Sequence, residues 1–184
     1  PISVYNKTKM VAERVFLSYA NQMQVHCIRP ATVCGLSPRM RLDVSVNMLT
    51  YQGLKNGKIT VFGGEQTRPN IHIQDLVNVY RHFLANPHLE SGCYNAGFEN
   101  IKIREIAERV QKVTGAEIVI TESNDPRSYR QDSRKLLETG FKPQFSVQDA
   151  IEQIGEAFRN DQLADGENCY TVKWMKHLQL HSNS

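Results

Sequence analysis

The sequence predicts an α/β fold built as one domain, and two observations carry that prediction. Apolar residues recur at helical spacing in several stretches, the first being Val11, Ala12, Val15, Phe16 and Tyr19. Between such stretches lie short apolar or β-branched runs bounded by proline or glycine, at residues 25–30, 58–64 and 116–120. Alternation of this kind is the pattern of helices laid against a mainly parallel sheet. At 184 residues the chain is long enough for one domain with a real core and too short for two well-built ones.

The elements follow in order. The first helix takes in Tyr5 and ends near Asn21. Residues 25–30 (Val25, His26, Cys27, Ile28, Arg29, Pro30) form a buried parallel strand whose C-terminal end opens a crevice. Residues 36–46 mix charge, proline and isolated apolar side chains, giving a loop that hands over to a helix from about Asp43, its N-cap, to Lys55, stopped by Asn56 and Gly57. Residues 58–62 alternate and run into the Gly63-Gly64 turn. Arg68 precedes a short strand, and Asp75 caps a helix over 76–84. Residues 92–97 are the last strand of the large sheet, residues 103–110 a helix closed at Gly115, and residues 116–120 a further strand. Ser146 and Asp149 make a capping-box-like start to a helix whose buried stripe is Ala150, Ile151, Ile154 and Phe158. The end carries the single tryptophan, Trp174, on a segment that either docks or stays loose.

Composition excludes several classes. Hydrophobic and charged contents of 40% and 22% are those of an ordinary globular chain, and 22 basic against 19 acidic residues leave a net charge of only +3. No basic stripe with interleaved aromatics points to nucleic acid. The four cysteines, Cys27, Cys34, Cys93 and Cys169, form no C-x-x-C pair, so neither a metal site nor a redox motif is expected. Cys27 and Cys93 read as buried small hydrophobes within strands, and His72 as a hydrogen-bonded packing residue. No secretory signal and no run of membrane-spanning length is present, so no membrane partner and a cytoplasmic location are expected.

Chemistry is concentrated at the beginning. Tyr5 and Lys9 stand four apart, so a helix that includes both puts them on one face. A phenol is a poor base at neutral pH, and a fixed ammonium beside it favours the phenolate. Such a pair is a usable general acid/base. On the pair alone, a tyrosine packed on the core beside solvated lysines is the commoner explanation.

The surrounding residues add to this. Pro1-x-Ser3-x-Tyr5-x-x-Thr8-Lys9-x-x-x-Glu13, then Ile28-Arg29-Pro30-x-x-Val33-x-Gly35, then Phe62-Gly63-Gly64-x-x-x-Arg68-x-x-Ile71-His72-Ile73-x-Asp75 occur in that order. Together these pieces resemble the extended short-chain dehydrogenase/reductase family, the nucleotide-sugar epimerases and dehydratases, over roughly residues 1–160. The resemblance implies the C-terminal part of a Rossmann-like doubly wound parallel sheet over 1–100, with 36–75 contributing to the substrate site. A small α/β substrate-binding lobe over 101–160 and a C-terminal tail over 161–184 complete the expected organisation. Relatives carry a G-x-x-G-x-x-G turn and a catalytic Ser or Thr before the tyrosine. Neither is found here, so the expectation is the C-terminal half of a longer enzyme.

The resemblance also implies roles. Tyr5 and Lys9 would be catalytic and would touch the cofactor, NAD or alternatively NADP, as would Pro30 and Val33. Asn47, Phe62, Arg68, Asp125 and Arg127 would hold the nucleotide sugar, Phe62 through the base and Arg68 through the diphosphate. In the UDP-glucose 4-epimerase branch an Arg stands three residues before the Asp. That place is Glu122 here, so Arg127 would serve from another position. The expected activity is transient hydride transfer on a nucleotide-diphosphate sugar, with a homodimer through the helix carrying Tyr5 and Lys9. An NADP-dependent reductase, a non-catalytic dinucleotide sensor on the same scaffold and an inactive truncated product are the alternatives.

Overall fold

The computed structural model describes residues 3–123 and 128–181. Its first element, α1 (Val4–Leu17), is capped by Ser3, whose hydroxyl accepts the Asn6 N–H at 3.1 Å. The helix ends at Leu17 rather than near Asn21, because residues 18–22 tighten into turns: Ser18, Tyr19, Ala20 and Gln22 bond back to carbonyls three or four residues earlier. None of its residues is buried, and Val11, Val15 and Phe16 are all more than half exposed.

Among the described residues, seven strands fall into three small sheets. Parallel β1 (His26–Pro30) and β5 (Gly92–Ala96) pair with Ile28 opposite Tyr94. A second sheet sets β2 (Thr32–Cys34) parallel to β4 (Thr67–His72), with β6 (Glu99–Lys102) antiparallel on the far side of β4. The third pairs β3 (Lys58–Phe62) in parallel with β7 (Glu117–Thr121). The expected architecture, α/β with parallel strands, is therefore present. Two short strands, β2 and β6, were not expected, and Arg68 lies within a strand rather than before it.

The helices show where local rules decide and where they do not. Both α2 (Ser45–Asn56) and α4 (Ile103–Thr114) end on a left-handed glycine, Gly57 at φ 61° and Gly115 at φ 72°, as expected of C-cap glycines. The start of α2 differs from expectation. Its N-cap is Val44, while Asp43 turns away to pair with Arg41 Nε at 2.8 Å and to accept the Thr171 N–H at 2.9 Å. Likewise α3 (Ile73–Ala85) begins three residues before the expected start. His72 is its cap, its ring nitrogen accepting the Gln74 N–H at 3.1 Å. Asp75 is fully buried and accepts the N–H groups of Gln144 and Phe145, tying down the loop before α6. That last long helix, α6 (Val147–Arg159), opens with the expected Ser146–Asp149 capping box.

Among the described residues, three apolar clusters hold these elements together. The first packs α2, α4 and α6 against β3 through Val46, Leu49, Ile59, Ile106, Val110 and Ile151. The second lies around α3 and β5, with Val79, Phe83 and Tyr94, and takes in Leu136 from the short α5 (Arg134–Leu137). The third joins Met40, Leu42 and Tyr51 to Ile154 and to Cys169 of the C-terminal segment. Each fully buried side chain of this size contributes about 1.5–3 kcal/mol of transfer free energy. The C-terminal segment is thus docked. Beyond it α7 (Thr171–His181) carries Trp174. Cys27 and Cys93, expected as buried, are only half-buried, since they face each other across β1 and β5 under the thinly packed α1.

Candidate active site

A cleft of about 750 Å³ opens where β1 and β2 end. This is the edge at which α/β sheets bind ligands, since strand ends leave a crevice there. Pro30 and Val33 come from those strands, Asn47 from the first turn of α2, and Tyr5 from α1. The structure therefore brings together four residues singled out in the sequence, 42 positions apart at the extremes.

Tyr5 is 68% exposed, so the core-packing explanation does not apply to it. Lys9, one turn on, places its ammonium 5.5 Å from the Tyr5 ring centroid. Helical spacing produces that approach directly. Helix α1 is fastened to β1 by charge more than by packing. Arg29 donates to both Glu13 oxygens at 2.8 and 2.6 Å, and holds that carboxyl below the usual carboxylate range.

Asn47 is 2% exposed, and its amide is occupied. Its oxygen accepts the Gly35 N–H at 3.0 Å and its nitrogen donates to the Arg41 carbonyl at 3.0 Å. It thereby shapes the loop forming one wall. Gly35 sits at φ +109°, and a Cβ there would meet His72 Nε2 at 2.9 Å, so only glycine fits. His72 itself stacks on Phe145 at 4.8 Å and hydrogen-bonds Gln153 at 3.0 Å, the packing role expected of it. Burial pushes the Cys34 thiol up to about 12, which makes it inert at neutral pH.

A second, smaller recess of about 260 Å³ holds Phe62 and Arg68. Phe62 is 59% exposed at the end of β3, available to a flat ligand rather than spent on the core. Arg68 donates to the Thr67 carbonyl at 3.1 Å, and its guanidinium lies 5.2 Å from the Tyr129 ring. Asp125 and Arg127 lie outside the described residues. The sequence reasoning passed over Arg39, Arg41, Arg130 and Gln131, all lining the larger cleft. Gln131 fixes its loop by donating to the Arg29 carbonyl at 2.9 Å and by taking Asn100 Oδ1 on its own N–H at 2.8 Å. Only the fold, which returns the loop after residue 127 to β1, reveals that placement. Among the described residues no group of three His, Cys, Asp or Glu is placed to hold a metal.

Comparison with known proteins bears on this arrangement. The NAD dependent epimerase/dehydratase family matches residues 1–97, just over half of the chain. The uncharacterized UDP-glucose epimerase YtcB of Bacillus subtilis (strain 168) is 29% identical over 119 residues, 62% of this chain and 37% of that protein. UDP-glucuronic acid 4-epimerase from Bacillus cereus, solved with a fluorinated UDP-glucuronic acid analogue and NAD, is similar at a TM-score of 0.73 and 25% identity. That match covers 87% of this chain and 54% of that one. RMD from Pseudomonas aeruginosa, solved with NADPH, shares the fold at a TM-score of 0.74 and 21% identity, covering 88% of this chain and 58% of its own. The chain thus spans about half the length of these solved structures and just over a third of the curated relative.

Proposed function

Since this chain belongs to the NAD dependent epimerase/dehydratase family, we propose that it supplies the acid/base and substrate-binding part of an enzyme acting on a nucleotide-diphosphate sugar. The observation that carries the proposal is the exposed Tyr5 at the cleft, with the Lys9 ammonium 5.5 Å from its ring. Tyr5 takes the proton from a sugar hydroxyl as the carbon is oxidised, and returns it when the carbon is reduced again. Between those events Tyr5 holds the proton as a neutral phenol, with the Lys9 ammonium beside its ring.

The residues present fit a nicotinamide. Pro30 and Val33 offer an apolar wall at the strand ends, and Lys9, its ammonium beside the Tyr5 ring, would offer a donor for a ribose hydroxyl. NAD bound there would supply the hydride acceptor and donor. Phe62 would stack on the nucleotide base, and Arg68 would face the diphosphate with its planar fork. Asp125 and Arg127 complete the proposed substrate set, and Asn47 holds the loop around it. The apolar, exposed side of α1 (Val11, Val15, Phe16) supports a homodimer through that helix. No described helix is long and apolar enough to cross a membrane. The four free thiols fit a reducing, cytoplasmic setting.

Two substitutions in the full-length enzyme test this. Tyr5→Phe should lower turnover about a hundredfold or more, the effect of losing a general base, with nucleotide affinity kept. Arg68→Ala should weaken nucleoside-diphosphate binding roughly tenfold to a hundredfold, since a hydrogen bond to a charged group is worth about 1.5–3 kcal/mol. Competition by UDP, GDP, CDP and dTDP reads the second effect and names the base. Wild-type turnover in Tyr5→Phe, or no binding of any of the four, overturns the proposal.

A further inference from the structure

The charge lining the larger cleft exceeds what a nucleoside diphosphate requires. Arg39, Arg41 and Arg130 all border it, and among the described residues no aspartate or glutamate does. The residue proposed for the diphosphate, Arg68, lies in the other recess beside Phe62. Three cations therefore face the space that also holds Tyr5, where the sugar must sit if its hydroxyl is to reach the phenol.

These arginines are not consumed by the protein. Among the described residues neither the Arg39 nor the Arg130 guanidinium has a carboxylate partner. Arg41 is held by its Nε alone, 2.8 Å from Asp43 Oδ1, which leaves both terminal nitrogens available. Asp43 is itself anchored, its second oxygen accepting the Thr171 N–H at 2.9 Å. Cys169 reinforces this, its carbonyl accepting the Leu42 N–H at 2.9 Å. The C-terminal segment thus presets the wall from which Arg41 projects. Cations brought together in a narrowing cleft repel one another unless an anion lies among them, and a guanidinium fork matches a carboxylate in two-pronged geometry.

We propose that Arg39, Arg41 and Arg130 form a second anion subsite beside Tyr5, and that the substrate is a nucleotide-linked acidic sugar, a hexuronic acid, rather than a neutral hexose. The proposal rests on the nucleotide-sugar reading above and narrows it. A cofactor phosphate is the other source of a second anion, and the test separates the two.

Titration calorimetry on the full-length protein compares UDP-glucuronate, UDP-glucose, UDP and NAD, in wild type and in the double variant Arg39→Ala plus Arg130→Ala. Both side chains are exposed, so the fold should tolerate their loss. Wild type should bind UDP-glucuronate at least tenfold more tightly than UDP-glucose. The double variant should bring the two within about twofold, with UDP and NAD changed less than twofold, and the corresponding double lysine variant should recover part of the preference. Equal binding of the two sugars by wild type overturns the subsite and leaves the nucleotide-sugar reading standing. Loss of UDP affinity in the double variant assigns the arginines to the diphosphate, and loss of NAD affinity with the sugar preference intact assigns them to the cofactor; either overturns the proposal. If wild type binds neither sugar nor UDP, the reading beneath it fails and the subsite falls with it.

Discussion

Asn47 has both amide roles committed, and this makes its contribution measurable separately from any ligand. With Asn47→Ala the buried Gly35 N–H and the Arg41 carbonyl lose their partners. A buried group left unpaired costs about 1–3 kcal/mol, so the variant should unfold at clearly lower denaturant with ligand absent. An unchanged urea midpoint would mean that the amide acts only on the substrate. The residue was visible in the sequence, but this work of the side chain was not, because its partners are loop backbone groups up to 12 positions back. Asp75 makes the same point over a longer span. Locally it has the character of a helix cap, yet its carboxylate is spent on backbone 69 and 70 residues away. The Tyr5–Lys9 approach, by contrast, was legible because helical spacing alone produces it.

Elements whose ends are set by short-range chemistry were likewise legible: the glycine stops of α2 and α4 and the capping box of α6. Strands of three or four residues such as β2 and β6 hold too few side chains to show a period. The docking of residues 163–171 depends on a clamp that only tertiary structure assembles. Asp165 accepts from Tyr51 at 2.6 Å, Lys55 at 2.7 Å and Tyr170 at 2.9 Å. Lys55 foremost, with Tyr51, pulls the carboxyl down to about 2, while burial and Asp165 push the Tyr170 phenol up to about 12. A carboxyl depressed by folding stabilises above its unfolded value near 4 and ceases to as pH falls toward 2. The raised phenol stabilises below about 10 and ceases to as pH climbs toward 12. Because Lys55 is half exposed, the acid side is worth about 1 kcal/mol, below the unscreened linkage value. Trp174, whose N–H bonds the Tyr170 carbonyl at 2.9 Å, reports the clamp as the only tryptophan. Its emission should shift to the red between pH 4 and 2, and Asp165→Asn should show the shifted spectrum already at pH 6. Identical spectra at pH 6 would show that the clamp does not seat this segment.

At the scale of the whole molecule, exposed apolar side chains run along three helices, among them α7 with Val172, Met175 and Leu178. Val11, Val15 and Phe16 on α1, and Val77, Tyr80 and Leu84 on α3, are all more than two-fifths exposed, and β1 pairs on one side only, with β5. Contiguous exposed apolar faces of this kind commonly mark contact surfaces. Cofactor affinity follows from the proposed reading as well. A dinucleotide is gripped chiefly at its pyrophosphate, by a glycine turn leading into a helix N-terminus. The glycine pair described here, Gly63 and Gly64, instead joins strand β3 to strand β4. On the reading proposed above, what this chain would offer NAD is the nicotinamide end alone: Tyr5, Lys9, Pro30 and Val33. A few contacts of that kind yield only about 4 kcal/mol, a dissociation constant near 1 mM. Calorimetric titration of the 184-residue chain with NAD should therefore show no saturable binding below several hundred micromolar. Saturation in the low micromolar range would mean that the cleft beside Tyr5 grips the dinucleotide unaided, and that the division of labour proposed for the whole enzyme is wrong.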